Sequence, residues 1–175
     1  MKNILISIAA SVLIGGFASA QSDEDLATDI DGNLLSPATA MEGCLYQAEF
    51  GRGTQEGCIG IMYEYCPENA DSTVDMLGCI EPEIQFWDQK LNSVYGDLIN
   101  VYEDQDSDFD EVRALAPRLR NVQLEWVEWR DAKCGFAYDQ YRGGTIGRLT
   151  GANCQLEETA KRALEIQDLL AEARM

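Results

Sequence analysis

The chain has 175 residues, with 31 Asp+Glu against 13 Lys+Arg for a formal charge of −18, and it holds 6 Cys and no His. Without histidine there is no Ser-His-Asp or Cys-His catalytic unit and no imidazole metal ligand, and so acidic a chain is unsuited to nucleic acid, whose phosphates demand clustered Lys and Arg. Its 46% hydrophobic content is that of a globular chain, so the acidity does not signal wholesale disorder, and the length fits one domain.

Residues 1–20 read as a secretory signal peptide: Met1-Lys2-Asn3 is a short positive start, Ile4 to Phe17 is apolar, and Ala18-Ser19-Ala20 is a small-x-small cleavage site. The apolar run is shorter than the ~20 residues a bilayer span needs, so no membrane span is expected in the mature chain, which would begin at Gln21. No cysteine stands beside the cleavage site to accept a lipid. Cleavage would remove Lys2 and no acid, leaving the remainder one unit more negative. The expected location is periplasmic or secreted, in soluble form.

Residues 21–35 form an acidic leader expected to be flexible, and residues 36–175 a single helical domain. Ser36-Pro37 is an N-cap followed by proline at the first helical position, opening a helix that runs to about Phe50. Gly51-Arg52-Gly53 breaks it, and Thr54 caps a short second helix through Ile59, Met62 and Tyr63 that stops at Cys66-Pro67. In the third element Met76, Ile80, Ile84, Trp87, Leu91, Tyr95, Leu98 and Tyr102 recur at spacings of three and four, the mark of one apolar helical face. Ser72 and Asp75 form a capping-box-like start, while Pro82 either kinks this helix or marks its true first turn. After the acidic stretch Glu103 to Glu111, a fourth helix carries Val112, Leu115, Leu119, Val122, Trp126, Trp129 and Phe136, with Pro117 near its start and Gly143-Gly144 at its end. A fifth runs from about Asn153 to Ala173 with Leu156, Ala160, Ala163, Leu164 and Leu170 inward. No sustained period-two pattern occurs, so no sheet is expected. The fold class is all-α, a disulfide-stapled antiparallel bundle of about five helices.

In an exported chain, Cys44, Cys58, Cys66, Cys79, Cys134 and Cys154 are an even set that suggests three disulfides, and the lack of any CxxC pair weakens the zinc and redox readings. Six cysteines allow fifteen pairings. Cys134 and Cys154 flank a Gly-rich turn and form the first pair. For the other four, locality favours Cys44–Cys58 and Cys66–Cys79, with Cys44–Cys66 and Cys58–Cys79 as the main alternative. Each closed loop would contribute roughly 2–4 kcal/mol by restricting the unfolded chain.

Most chemical motifs fail on inspection. Asp104-x-Asp106-x-Asp108 opens like a calcium loop, but its sixth position is Phe109 where a glycine must turn, and its twelfth is Leu115 where a bidentate Glu is needed. It reads as a solvated acidic loop capping the fourth helix at Asp108. Asp29-Ile30-Asp31-Gly32-Asn33 is a weaker echo with its glycine misplaced. Among 31 acidic residues, carboxylate pairs suited to glycoside hydrolysis are too abundant to inform. No GxSxG, P-loop or dinucleotide fingerprint is present, and Gly143-Gly144-Thr145-Ile146-Gly147 lacks the preceding strand of a phosphate cradle. Those glycines read as helix termination followed by a tight loop. No cofactor or metal is expected, and the chain reads as a non-enzyme.

A more specific pattern runs from the third helix to the fifth. It comprises Trp87-Asp88-x-x-Leu91-Asn92-x-x-Tyr95-x-x-Leu98, then Gln123-x-x-Trp126-x-x-x-Arg130-Asp131-x-x-Cys134, then Gly143-Gly144-Thr145, then Cys154 with Thr159 and Arg162. From Cys66 to Ile166 the chain resembles the family of the lysozyme inhibitor LprI, small exported proteins with an LN-x-x-Y segment, a Q-x-x-W-x-x-x-RD-x-x-C segment, a GG turn, and a final Cys followed by an Arg-bearing helix. Thr73, Met76 and Cys79 echo that family's lead-in, and the resemblance lends support to Cys66–Cys79. Two features depart from it: the region of Cys44 and Cys58 lies upstream of the alignable part, and no lipobox cysteine is present, unlike in some relatives.

Physically, Asp88 and Asn92 lie one helical turn apart, and Arg130-Asp131 sits on another helix beside the aromatic face. Asp88, Asn92, Tyr95, Gln123, Trp126, Arg130, Asp131 and Arg162 are therefore expected to form a polar network between helices, with an Arg–carboxylate pair fixing their register. The resemblance implies a protein partner, a cationic lysozyme whose basic surface surrounds an acidic cleft, toward which an acidic chain would be steered. Candidate contacts are Asp104, Asp106 and Asp108 in the acidic stretch, and Arg148, the one cation between Gly143 and Gly151, which would enter the cleft. The alternative is a structural or scaffold protein of the envelope that binds another exported partner, since family membership does not by itself carry activity. The sequence leaves oligomeric state open.

Overall fold

A computed structural model describes residues 36–67, 70–107 and 113–175. The expected signal peptide, the leader and Asp108 lie outside the described residues.

Helix α1, Pro37–Glu49, begins as the sequence dictates: the Ser36 hydroxyl accepts from the Thr39 amide at 3.2 Å, and proline occupies a position whose amide needs no partner. Gly51, at a φ of 72°, takes the left-handed turn that ends it. The expected second helix is realised as two short 3-10 turns, Glu56–Cys58 and Tyr63–Tyr65. Gly60 stands between them at a φ of 98°, a conformation that no right-handed helix contains, and it divides the segment.

Helix α2, Thr73–Asp106, opens on a reciprocal capping box, with the Ser72 hydroxyl accepting from the Asp75 amide at 3.2 Å and the Asp75 carboxylate accepting from the Ser72 amide at 3.3 Å. Pro82 lies inside this helix and not in its first turn. Helix α3, Ala116–Asp139, has Pro117 in its first turn. Its leading amides are satisfied by the last residue of α2: Leu115 and Ala116 donate to the two carboxylate oxygens of Asp106 at 2.7 and 2.8 Å. Helix α4, Ile146–Ala173, starts earlier than the expected Asn153, taking in Gly147 and Gly151 as helical residues.

Consecutive long helices run antiparallel, so α2 and α4 are parallel, their C-terminal ends joined by Gln105 donating to the Ala173 carbonyl at 3.0 Å and by Arg174 pairing with Asp97 at 3.2 Å. The main packing is α4 on α2, with α3 laid mainly on α4. The core between them comprises Ile80, Trp87, Leu91 and Leu98 from α2 and Leu156, Ala160, Ala163, Leu164, Ile166 and Leu170 from α4. The inward set expected for the last helix is fully buried. Each buried Leu or Ile contributes about 1.5–3 kcal/mol. The outward positions of α2 and α4 are mostly polar or charged, with Val74 and Ile146 as exposed apolar exceptions, so both helices are amphipathic as their spacing requires.

Helix α1 and the two turns cap the start of α2, inserting Met41 and Met62 into the same core. Three disulfides staple the fold, joining Cys44 to Cys58, Cys66 to Cys79 and Cys134 to Cys154. A residue not singled out in the sequence completes this cap. Glu83 is fully buried, and its carboxylate accepts from the Gly60 amide at 2.6 Å, the Met62 amide at 3.0 Å and the Trp87 indole at 3.2 Å. A buried carboxylate is tolerable only with such a full set of donors. Among the described residues no helix is long and apolar enough to cross a membrane.

Candidate partner-binding surface

The expected polar network divides into two groups. Asp88 and Asn92 stand on the exposed side of α2, where the Asn92 amide donates to the Asp88 carboxylate at 3.0 Å. Tyr95, half-buried on the same helix, packs against the core. The second group lies between α3 and α4 and is centred on Trp126. The guanidinium carbons of Arg130 from α3 and Arg162 from α4 stand 5.1 and 5.6 Å from the ring centroid, within the range of cation–π attraction.

Rungs tie the two helices together around that ring. Arg162, buried on α4, donates from Nε to the Gln123 side-chain oxygen of α3 at 3.0 Å and from Nη1 to Glu165 at 2.8 Å. Arg130 donates to the buried Thr159 hydroxyl of α4 at 3.3 Å. Lys133 pairs with Glu158 at 2.7 Å and lies over Trp129 at 4.9 Å. The Arg–carboxylate pair assigns differently from expectation: Arg130 contacts Asp131 at 2.9 Å, its own neighbour on α3, so that pair orients the guanidinium while Thr159 and Gln123 make the crossings. Arg162 Nη2 has no hydrogen-bond partner among the described residues, leaving the Trp126 ring as its favourable electrostatic neighbour.

Of the acidic stretch, Asp104 is exposed on α2, whereas Asp106 spends both oxygens on the start of α3. Asp106 thus caps the start of α3, while Asp108, the residue expected to do so, lies outside the described residues. Arg120 on α3 pairs with Glu103 on α2. Among the described residues no cluster of three or more His, Cys, Asp or Glu is placed to hold a metal ion. On α4, the Lys161 ammonium is held above its ordinary pKa by its hydrogen bond with Glu157, slight burial opposing.

The outward face of α3 is unusual. Leu115, at the N-cap, and Val122, Trp129 and Phe136 along the helix recur every seven residues and are between 44% and 66% exposed, so they face away from the core, whereas Leu119 is buried. Next to Phe136, Lys133, Ala137, Gln140, Thr150, Asn153 and Glu157 line an open groove of about 380 Å³ between α3 and α4. The turn above it, Gln140 to Thr145, presents Tyr141 and Arg142 to solvent, and the first turn of α4 presents Ile146 and Arg148.

A disulfide-stapled core of three long helices with a capped N-terminal end and an exposed apolar line on α3 places the chain in the all-α class. The family model of lysozyme inhibitor LprI matches residues 66–166, and the chain belongs to that family. The match spans α2, α3, most of α4 and two of the disulfides. An uncharacterized protein of Rhizobium meliloti (strain 1021) is 26% identical over 108 residues, covering 59% of this chain and 78% of that one. No solved structure matches.

Proposed function

We propose that this chain is an exported, non-enzymatic inhibitor that binds a cationic lysozyme. The observation that carries this reading is the family match over residues 66–166, which takes in both the Trp126 cluster and the α3–α4 turn. The charge of −18 agrees with it, since an acidic body is drawn toward a basic enzyme at long range. Export rests on residues 1–20 as a cleaved signal, residues 21–35 as a leader and residues 36–175 as the folded unit, and three disulfides suit an oxidising compartment. In this reading the Trp126 cluster fixes α3 against α4, and the contacts fall to the surface it supports, including Asp104 and Arg148.

The test is a titration of the purified mature protein against a basic lysozyme, reading wall clearing and binding at low and physiological salt. Saturable inhibition at physiological salt is the expected result. No binding and no inhibition would remove this enzyme class as the target, and binding lost at physiological salt would reduce the attraction to bulk charge. Wall clearing by the protein alone would make it an enzyme instead.

A second reading is a scaffold of the envelope. The exposed line Leu115, Val122, Trp129 and Phe136 favours it, because a seven-residue apolar repeat is what a partner helix reads. Such a protein would bind an exported partner and leave lysozyme activity unchanged.

A further inference from the structure

More than half of the 13 basic residues lie between Arg113 and Arg148, while acids dominate the rest of the chain. Along α3 these cations are matched, Arg120 by Glu103, Arg130 by Asp131 and Lys133 by Glu158. At the α3–α4 turn and the first turn of α4 they are not. Arg142 and Arg148 are exposed, and neither side chain has an ion pair or hydrogen bond among the described residues. Tyr141 and Ile146, 44% and 48% exposed, stand beside them in the chain.

The turn is held rigidly. Gly144 donates to the Tyr141 carbonyl at 2.8 Å and Arg142 to the Asp139 carbonyl at 2.9 Å, fixing Arg142 at a φ of 48°, where L side chains seldom sit. Behind it the helices meet backbone to backbone: a Cβ at Gly147 would stand 2.7 Å from the Tyr138 carbonyl oxygen, and one at Gly151 would stand 3.3 Å from the Tyr138 Cβ. The Cys134–Cys154 disulfide closes the next turn down. A rigid tip with two unmatched guanidinium groups and flanking apolar side chains therefore projects from a molecule that is otherwise strongly negative.

We infer that the tip from Tyr141 to Arg148 enters the substrate cleft of the lysozyme and that Arg142 and Arg148 pair with the carboxylates there; this rests on the inhibitory reading above. Glycoside hydrolysis requires two carboxylates flanking the scissile bond, so such a cleft is acidic even in a basic enzyme. Guanidinium groups are the side chains best shaped to engage carboxylates, and a tip already fixed by glycine contacts and a disulfide loses little freedom on insertion. The inhibitor's charge pattern, a positive tip on a negative body, is then the complement of the enzyme's negative cleft in a positive surface.

The two layers of charge give opposite signs, which makes the inference testable on the mature protein. Neutralising the tip makes the whole molecule more negative, so bulk attraction alone would tighten binding to a basic lysozyme. Arg142→Asn combined with Arg148→Gln, the Asn chosen because it accepts the left-handed backbone, is expected to weaken Kd by about tenfold or more at physiological salt with Tm unchanged. A charge-matched variant away from the tip, Arg52→Gln with Lys161→Gln, should bind within about twofold of the parent or more tightly. An N-acetylglucosamine oligomer that fills the cleft should compete with the parent protein. Parent binding with undiminished binding by the tip variant, or with no competition by the oligomer, overturns the tip assignment and leaves the inhibitory reading standing. Failure of the parent to bind overturns both.

Discussion

Glu83 accepts the indole N–H of Trp87 one turn along α2 at 3.2 Å, both side chains fully buried. The same carboxylate holds the amides of Gly60 and Met62, so a single acid joins the core of α2 to the loop that covers it. Removing it leaves the buried Met62 amide and Trp87 indole, and the partly buried Gly60 amide, without their acceptor. Glu83→Ala should cost on the order of 3 kcal/mol in urea unfolding and expose the Gly60 and Met62 amides to faster hydrogen exchange. An unchanged midpoint with protected amides would show that the loop holds itself.

Gly147 and Gly135 provide a matched pair. At Gly147 a methyl group meets the Tyr138 carbonyl oxygen at 2.7 Å, whereas at Gly135, exposed on α3, it meets nothing within 4 Å. Gly147→Ala should destabilise by about 1–3 kcal/mol, because backbone must shift to make room. Gly135→Ala should stabilise by about 0.5–1 kcal/mol through helix propensity. Thermal melts of both variants decide the matter, and equal shifts would mean that the close approach at Gly147 carries no energy.

The Trp126 cluster calls for a double-mutant cycle. Arg162→Met keeps the packing volume and removes the charge, and Trp126→Leu removes the ring face. The coupling between them should be about 1 kcal/mol if the cation–π contact at 5.6 Å contributes. Coupling indistinguishable from zero would assign the pair to packing alone. Arg162→Lys should fare worse than its conserved charge suggests, since a point charge does not reproduce the fork that reaches Gln123 and Glu165 together.

Loss of the Cys134–Cys154 link, through the double Ser variant, removes a loop closure spanning 20 residues. A cost of about 3 kcal/mol in unfolding free energy is expected from chain entropy. A variant as stable as the parent would mean that the glycine contacts and the Lys133–Glu158 rung already hold the hairpin.

The starts of α1 and α2 were the most legible part of the sequence, because Ser36-Pro37 and the Ser72/Asp75 box act through local hydrogen bonds that need no tertiary context. The apolar faces of α2 and α4 were legible for a similar reason, since spacings of three and four define one side of a helix. Periodicity does not say which side faces inward when a helix has two, and on α3 the repeat from Leu115 to Phe136 faces out. The start of α4 was hidden by its glycines, whose low helix propensity reads as loop until packing against α3 supplies the reason for them. Glu83 left a signal that composition obscured: it sits three residues after Ile80 and four before Trp87, on the apolar face. As for the candidate surface, the arginines were visible but not their partners, because Arg130 turns to its neighbour Asp131 and to Thr159, and such choices are made in three dimensions.

The disulfides carry one more consequence. Taken in chain order, every cysteine is bonded to the next, Cys44 with Cys58, Cys66 with Cys79 and Cys134 with Cys154, so no crosslink encloses another. On the proposed export route, an oxidant that meets the thiols in chain order would make the native set by taking the nearest available pair each time. Maturation on that route would call for an oxidase and no isomerase, and reoxidation of the reduced protein without an isomerase should return the native bonds.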